Sequence, residues 1–440
     1  MPEERRQLGL GAAVAIVTGE SIGLGVFLTS ASMAKSLGSP LLLGLVWCAM
    51  GAMALCGALC YSELAVRFPR SGGEYIYLRH GFGPKVAFLY GWMSSVVMYP
   101  GVAAALAVGV TVYLGALLPG ERRVIAWIPA LLLAGFGVLN ILGTILSGRL
   151  MALLNYLKFG ILAVLVGYSF FSSHAHVSNL HPLVERAPGS AALFPAIAGA
   201  VVGAFFTMGG WWEAGKIGGE IREPEKNLPR AFMGGVLLMI VSYLVINFAF
   251  LMVLPISAMH SGMDFVTQFS AAVFGSAGTK VMSACVLVSV GGGLAALMMA
   301  APRVTYAMAQ SGEFLPLLGR THRRFGTPAN AILLQTVLSL TVLLLGTFDR
   351  ILSCIVFSVV VFQALTAAAL FRLPRRAGMW WFPSAPVIFI ACSAAIALLI
   401  LMHDPAPALI GVAVVFCGLP LRYFILRRME QSPVMATEGN

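Results

Sequence analysis

The sequence predicts an all-α polytopic membrane protein of twelve transmembrane helices, the first and sixth of them broken. Three observations lead there. Only 10% of the 440 residues are charged, against about 25% in ordinary globular chains, which is too few to build a water-facing surface. Hydrophobic residues reach 59% and mean hydropathy is +0.91, with the apolar residues gathered in long runs, so the solvent is lipid. Glycines interrupt two of those runs, five crossings apart. Soluble enzymes and disordered chains are excluded by the first two observations alone.

A helix rising about 1.5 Å per residue needs about 20 apolar residues to cross the hydrocarbon. On that measure the spans run over 8–37, 41–66, 86–118, 124–146, 150–172, 191–217, 231–254, 279–310, 329–347, 350–371, 384–402 and 406–426. They are numbered 1 to 12 below. The first run is too long for a cleavable signal and lacks a small-residue cleavage site. Residues 1–440 read as one membrane domain, with repeat one over 8–172, repeat two over 191–371, and two extra helices over 384–426.

Orientation follows from the connections, because Lys and Arg stay on the cytoplasmic side. The termini and even-numbered connections hold 21 of the 28 basic residues; the opposite face holds 6. Both termini are therefore expected in the cytoplasm, with the chain in the cytoplasmic (inner) membrane. The net charge of +11 follows from topology and calls for no nucleic acid partner. Seven cysteines lie inside apolar runs, with neither metal-ligand spacing nor a loop pair suited to a disulfide.

Span 1 contains GESIGLGVF, with Gly19, Gly23 and Gly25 around Ser21; span 6 contains AFFTMGGWWEAG, broken at Gly209 and Gly210. Glycine weakens a helix at such places. Five crossings separate the two, so the second is inverted relative to the first, as in a transporter built from inverted repeats. Small residues also let membrane helices pack closely; it is the paired placement that favours a site. Open backbone in lipid is tolerated where it lines a cavity or meets a ligand. The N–H groups after Gly25 suit a carboxylate, and the carbonyls ending the first halves of spans 1 and 6 suit an ammonium. An α-amino acid carries both groups on one carbon.

These motifs resemble the amino acid/polyamine/organocation transporter family, particularly its L-type amino acid transporter branch. GESIGLGVF is similar to the family's span 1 segment, and FPRSGGEYIYLRHGFGPKVAFLYGW from Phe68 to its loop between spans 2 and 3. AFFTMGGWWEAGKIGGEIREPEKNLPRA from Ala204 is similar to its span 6, and APRVTYAMAQSGEFLPLLGRTHRRFGTPANA from Ala301 to the end of its span 8. The resemblance covers residues 11–371 and implies a LeuT-like 5+5 inverted repeat. It implies that the substrate carboxylate meets the backbone of Ser21, Ile22, Gly23, Leu24 and Gly25, and its amino group carbonyls near Phe206, Thr207 and Gly209. Phe206 takes the position of the aromatic that closes over substrate. Lys158 matches a span 5 lysine that stands in place of a sodium ion and bridges spans 1 and 8, which implies sodium independence. Glu220 matches a residue that helps hold the cytoplasmic side closed.

Glu20 departs from the family pattern, in which a small or neutral residue stands there. It lies at a depth similar to that of Lys158, so it reads either as a proton-titrating or cation-selecting carboxylate or as a partner for Lys158. Glu213 and Lys216, three apart, read as a helical ion pair. Side-chain selectivity is expected from Met98, Val290, Gly291 and Phe357. His174, His176 and His181 read as a solvated outer loop, with no metal and no cofactor expected. The outer loop over 115–127 has no cysteine; the resemblance then implies no disulfide-linked heavy subunit, leaving the amino acid and membrane lipid as partners.

The function expected is a sodium-independent secondary transporter of amino acids working by alternating access, neutral L-amino acids first, by exchange or with protons. A cationic amino acid or polyamine is the alternative substrate. From other classes, a non-transporting amino acid sensor stays open, and a polytopic membrane enzyme is disfavoured because the spans hold no cluster of acid–base or metal-ligating residues.

Overall fold

The structure is a computed structural model that describes residues 6–430 except 24, 118–121, 260–262, 377 and 404. The described residues form helices joined by turns and by two longer connections, 171–192 and 311–328. The two isolated bridges, Leu8 with Ile221 and Ser71 with Ile217, both tie the exit of span 6 to its neighbours. Among the described residues, ten helices are long and apolar enough to cross a membrane, and the bent pair Leu10–Ser21 and Gly25–Leu37, taken as one span, makes an eleventh. The stretch expected as span 9 is the apolar helix Ala329–Leu345, 17 residues long, or ~26 Å by helical rise. The all-α membrane architecture therefore stands, and the count of twelve rests on the sequence.

Local chemistry sets several boundaries. Span 2, Pro40–Arg67, starts where the Ser39 side chain accepts from Leu42 N at 3.3 Å, with Pro40 in the first helical turn; such a cap satisfies an otherwise orphaned amide. Span 7, Pro224–Val253, begins seven residues earlier than expected. Glu225, Lys226 and Arg230 thus ride on its first turns instead of a separate loop. Span 3 is continuous over Pro84–Leu117 in backbone direction, but Met93–Met98 is wound as a π-helix, a local widening that periodicity does not reveal. A helix over Met263–Phe274 ahead of span 8 was not expected either.

Span 8 (Gly278–Ala300, continued as Pro302–Gln310) is the central element: 78% of its apolar window is buried, against 28% for span 4 and 17% for span 12. It packs on spans 1, 3 and 5, while span 7 packs on spans 1 and 2. Lipid is as apolar as leucine, so close approach and polar contacts hold these helices together. The second half of span 1 lies along the first half of span 6, and the first half of span 1 along the end of span 6. The two interrupted helices therefore face one another across the core.

Candidate functional site

In span 1 the first helix ends at Ser21 and the second begins at Gly25, with 44° between them. Ser21 Oγ donates to Val17 O at 2.7 Å, so that hydroxyl is spent within its own helix and the break offers backbone. Ile22 is buried and Gly23 half-buried; Leu24 lies outside the described residues. A Cβ on Gly25 would come within 3.0 Å of Thr207 Cγ2. The residue that reopens span 1 thus rests on the residue that ends the first half of span 6.

Lys158 reaches this opened helix end from span 5. Its Nζ donates to the carbonyls of Thr18 at 3.0 Å, Gly19 at 3.0 Å and Ile22 at 2.9 Å, and the residue is 0% exposed. An ammonium has three protons, and all three are used. The bridge to span 8 implied by the resemblance is absent from these bonds: all of them go to span 1. The pairing of Lys158 with Glu20 is not formed either. Three carbonyls at the end of the opened helix hold the ammonium, Thr18 O accepting from Ile22 N as well, and the Glu20 side chain lies against Gly210 instead.

Span 6 runs as an α-helix over Leu193–Thr207, turns at Gly210 with φ 95°, and continues as short 3-10 stretches, Trp211–Lys216 and Gly218–Glu220. Gly210 is in the left-handed region, where a side chain would be strained, and a Cβ there would meet Glu20 Cβ at 2.7 Å. Of the carbonyls expected to meet an amino group, Phe206 O accepts from Gly209 N at 3.0 Å and Thr207 O from Tyr243 Oη at 2.6 Å. Phe206 O also receives Met208 N, whereas Thr207 O keeps a second lone pair. Tyr243 Oη also lies 2.7 Å from Ser21 O, so one phenolic proton serves both breaks. Tyr243 sits in an unbroken apolar stretch of span 7, where nothing in the sequence marks it. Phe206 is 38% exposed and its ring touches that of Phe205, leaving it outside the close-packed core.

The Glu213–Lys216 pair is made, at 2.7 Å, with a third member the sequence reading missed: Lys216 Nζ also lies 3.1 Å from Glu74 Oε2. Their side chains are 1%, 0% and 3% exposed, respectively. Tyr99 Oη donates to Glu213 Oε1 at 3.3 Å. Glu74 opens the helix Glu74–Phe82 after the Gly72–Gly73 turn, whose Gly72 N donates to Lys216 O at 2.9 Å. Glu20 faces this group: its charged neighbours are Glu213, Lys216 and Glu74.

Glu220 receives Nε of Arg303 at 2.8 Å and Nη2 at 3.3 Å, while its carbonyl accepts from Gln7 N and Leu8 N, each at 2.9 Å. It therefore joins the start of span 1, the end of span 6 and span 8. Arg303 and Lys216, counted by sequence among the cytoplasmic surface charges, are both interior. Among the pocket candidates, Met98 closes the π-helix and is buried, as is Val290; Phe357 is half-buried, and Gly291 has open space where a Cβ would stand. It is Gly293, not Gly291, that lies against the break: a Cβ there would come within 3.4 Å of Gly19 O. His174, His176 and His181 are exposed, and no group of residues able to hold a metal is found among the described residues.

A family model described as "Amino acid permease" matches residues 8–417. The serine/threonine exchanger SteT of Bacillus subtilis (strain 168) is 28% identical over 441 residues, covering 96% of this chain and 98% of its own. The large neutral amino acids transporter small subunit 2 of Homo sapiens is 27% identical, covering 96% of this chain and 80% of its own. The b(0,+)-type amino acid transporter 1 of Mus musculus is 26% identical, covering 83% and 75%.

Proposed function

The chain belongs to the amino acid permease family, and from that premise we propose that it moves neutral L-amino acids by alternating access, by exchange or coupled to protons, without sodium. It is an integral membrane transporter of amino acids and not an enzyme. The observation that carries the finer reading is the meeting of two opened helix ends at Gly25 and Thr207, with Lys158 fixed across the span 1 break on Thr18, Gly19 and Ile22. The substrate carboxylate meets the backbone of Ser21 through Gly25, where the Ile22 amide is already given to Thr18 O, and its ammonium meets the carbonyls near Phe206, Thr207 and Gly209. Phe206 closes the outer side, and Glu220 with Arg303 holds the inner side. Lys158 supplies a fixed positive charge where a sodium ion would otherwise bind, so the cycle needs none. Residues 8–172 and 191–371 act as the inverted repeats.

The relatives named for serine, threonine and large neutral amino acids support a neutral substrate, and L-serine is the first to test. Met98, Val290, Gly291, Gly293 and Phe357 form the side-chain pocket. The basic residues support a cytoplasmic (inner) membrane location with both termini inside. No cysteine stands in the outer loop over 115–127, which favours a transporter working without a disulfide-linked subunit. A cationic substrate is the second reading, favoured by Glu20, whose buried Oε2 has no hydrogen-bond partner. Counterflow in proteoliposomes tests both. Labelled L-serine accumulating against unlabelled L-serine, unchanged when choline replaces sodium, is the expected result. Accumulation of labelled L-arginine alone selects the second reading, and no accumulation of any amino acid refutes transport.

A further inference from the structure

We propose that Glu20 carries a proton through the transport cycle, so that amino acid and proton cross in the same direction. The proposal rests on the reading that the substrate carboxylate binds at the span 1 break. Glu20 is the residue before Ser21, and its side chain lies against Gly210, where span 6 offers no side chain that could donate to it. Its Oε2 is buried and without a hydrogen-bond partner.

The neighbouring cations are already committed. Lys158, from span 5, spends its protons on the carbonyls of Thr18, Gly19 and Ile22. Lys216, from span 6, is held by Glu213 and Glu74, and Tyr99 of span 3 donates to Glu213, with Tyr90 3.5 Å behind it. From span 7, Tyr243 shares its proton between Ser21 O and Thr207 O. Span 8 contributes Gly292, Gly293 and Ala296 at this level, with the buried Cys285 thiol near Lys158. Glu213 is 0% exposed and its Oε2 also lacks a partner, while the buried Tyr61 and Tyr77 hydroxyls, near Glu74, likewise have none and do not reach either carboxyl group.

Around Lys216, then, stand three carboxyl groups and one ammonium. Leaving all three ionised would gather an excess of negative charge inside the membrane core, with Glu20 half-buried and its Oε2 shielded, which is costly. Protonation of one carboxylate relieves it, and Glu20 is the one with no cation bonded to it. An ionised Glu20 would also repel a carboxylate arriving at Ser21 through Gly25. Proton and substrate therefore favour each other's binding. The step is an acid–base one: a carboxylate oxygen of Glu20 takes one proton on the side where substrate enters, and the same O–H bond breaks on the other side. No electron changes hands.

The test uses the full-length protein in liposomes loaded with the pH dye pyranine, with counterflow of labelled L-serine, or of the amino acid giving the strongest counterflow, measured in parallel. On adding that amino acid outside, the wild type acidifies the lumen, and its KM for uptake rises by up to about tenfold per pH unit above the Glu20 titration. Glu20→Gln keeps counterflow, loses the acidification and has a flat pH profile. Glu20→Asp restores proton movement, and activity in Asp but not in Gln supports a need for a titrating group. Counterflow without acidification in the wild type overturns the proposal, as does equal acidification by Glu20→Gln or L-arginine uptake without acidification. Loss of folding in both variants assigns Glu20 to structure and overturns it too. Absence of counterflow in the wild type would instead defeat the transport reading itself.

Discussion

Two lysines, Lys158 and Lys216, are each 0% exposed inside a membrane protein, yet they are stabilised in opposite ways. Lys158 is surrounded by carbonyl dipoles and keeps an uncompensated positive charge. Lys216 lies between the carboxylates of Glu213 and Glu74 and is more than neutralised. The difference teaches what each does. An ammonium on three carbonyls at the end of a broken helix satisfies acceptors that the helix no longer fully pairs, with Thr18 O shared between Lys158 and Ile22 N, so Lys158 holds span 1 open at a chosen place. An ammonium between carboxylates from two elements is a clasp, fixing the end of span 6 to the turn before Glu74.

The largest effect is expected from breaking the clasp. Lys216→Met leaves two buried carboxylates without a cation and costs about 3–5 kcal/mol. It is read as a large fall in the melting temperature of detergent-purified protein. Adding Glu74→Gln and Glu213→Gln recovers most of it, because the charges that needed a cation are then gone; no recovery would show that packing, not charge, holds the clasp.

Lys158→Met comes next, and it separates stability from function. Carbonyls are neutral, so stranding them costs about 1–3 kcal/mol, less than stranding carboxylates. Counterflow falls more than tenfold because the break loses its shape. If Lys158→Met lowers the melting temperature more than Lys216→Met does, the comparison fails. Tyr243→Phe removes one phenolic proton shared by Ser21 O and Thr207 O, for about 1 kcal/mol. Its expected sign is a several-fold rise in KM for the amino acid, since the two breaks are no longer tied together; an unchanged KM would exclude Tyr243 from the site.

Lys226 is the control. It pairs with Glu223 at 2.8 Å, with both side chains about two-thirds exposed, and Lys226→Ala leaves the melting temperature unchanged. The hydrogen bond from Lys226, aided by its charge, holds the Glu223 carboxyl below the usual carboxylate range. Any stabilisation from that pair is present above the unfolded pKa and fades as pH falls through the folded one.

Much of this was readable in advance, for a reason that individual residues illustrate. Gly23, Gly25, Gly209 and Gly210 mark the breaks because glycine inside a long apolar run is a local signal. Lys158 is conspicuous because a charge at that depth breaks the composition of its own span. The pairing of Glu213 with Lys216 follows from a spacing of three. Glu74 could not be found that way: it stands 142 residues before Lys216, in a turn. Tyr243 is one more aromatic in an apolar helix, and the π-helix at Met93–Met98 has no mark in hydropathy. Arg303 sits among basic residues that belong at the cytoplasmic surface, and its turn inward to Glu220 is invisible to a count of charges.

The chain by itself determined which segments enter lipid and where two of them come apart, because hydrophobicity, charge and glycine content act on a residue through its immediate neighbours. The tertiary structure alone decided that Lys158 binds the carbonyls of span 1 and not Glu20, that Glu74 closes on Lys216, and that Tyr243 serves both breaks. Those choices depend on how each helix is rotated and how closely it packs. A rotation of one residue, about 100° around the axis, exchanges one set of partners for another while leaving the hydrophobic pattern of the span unchanged.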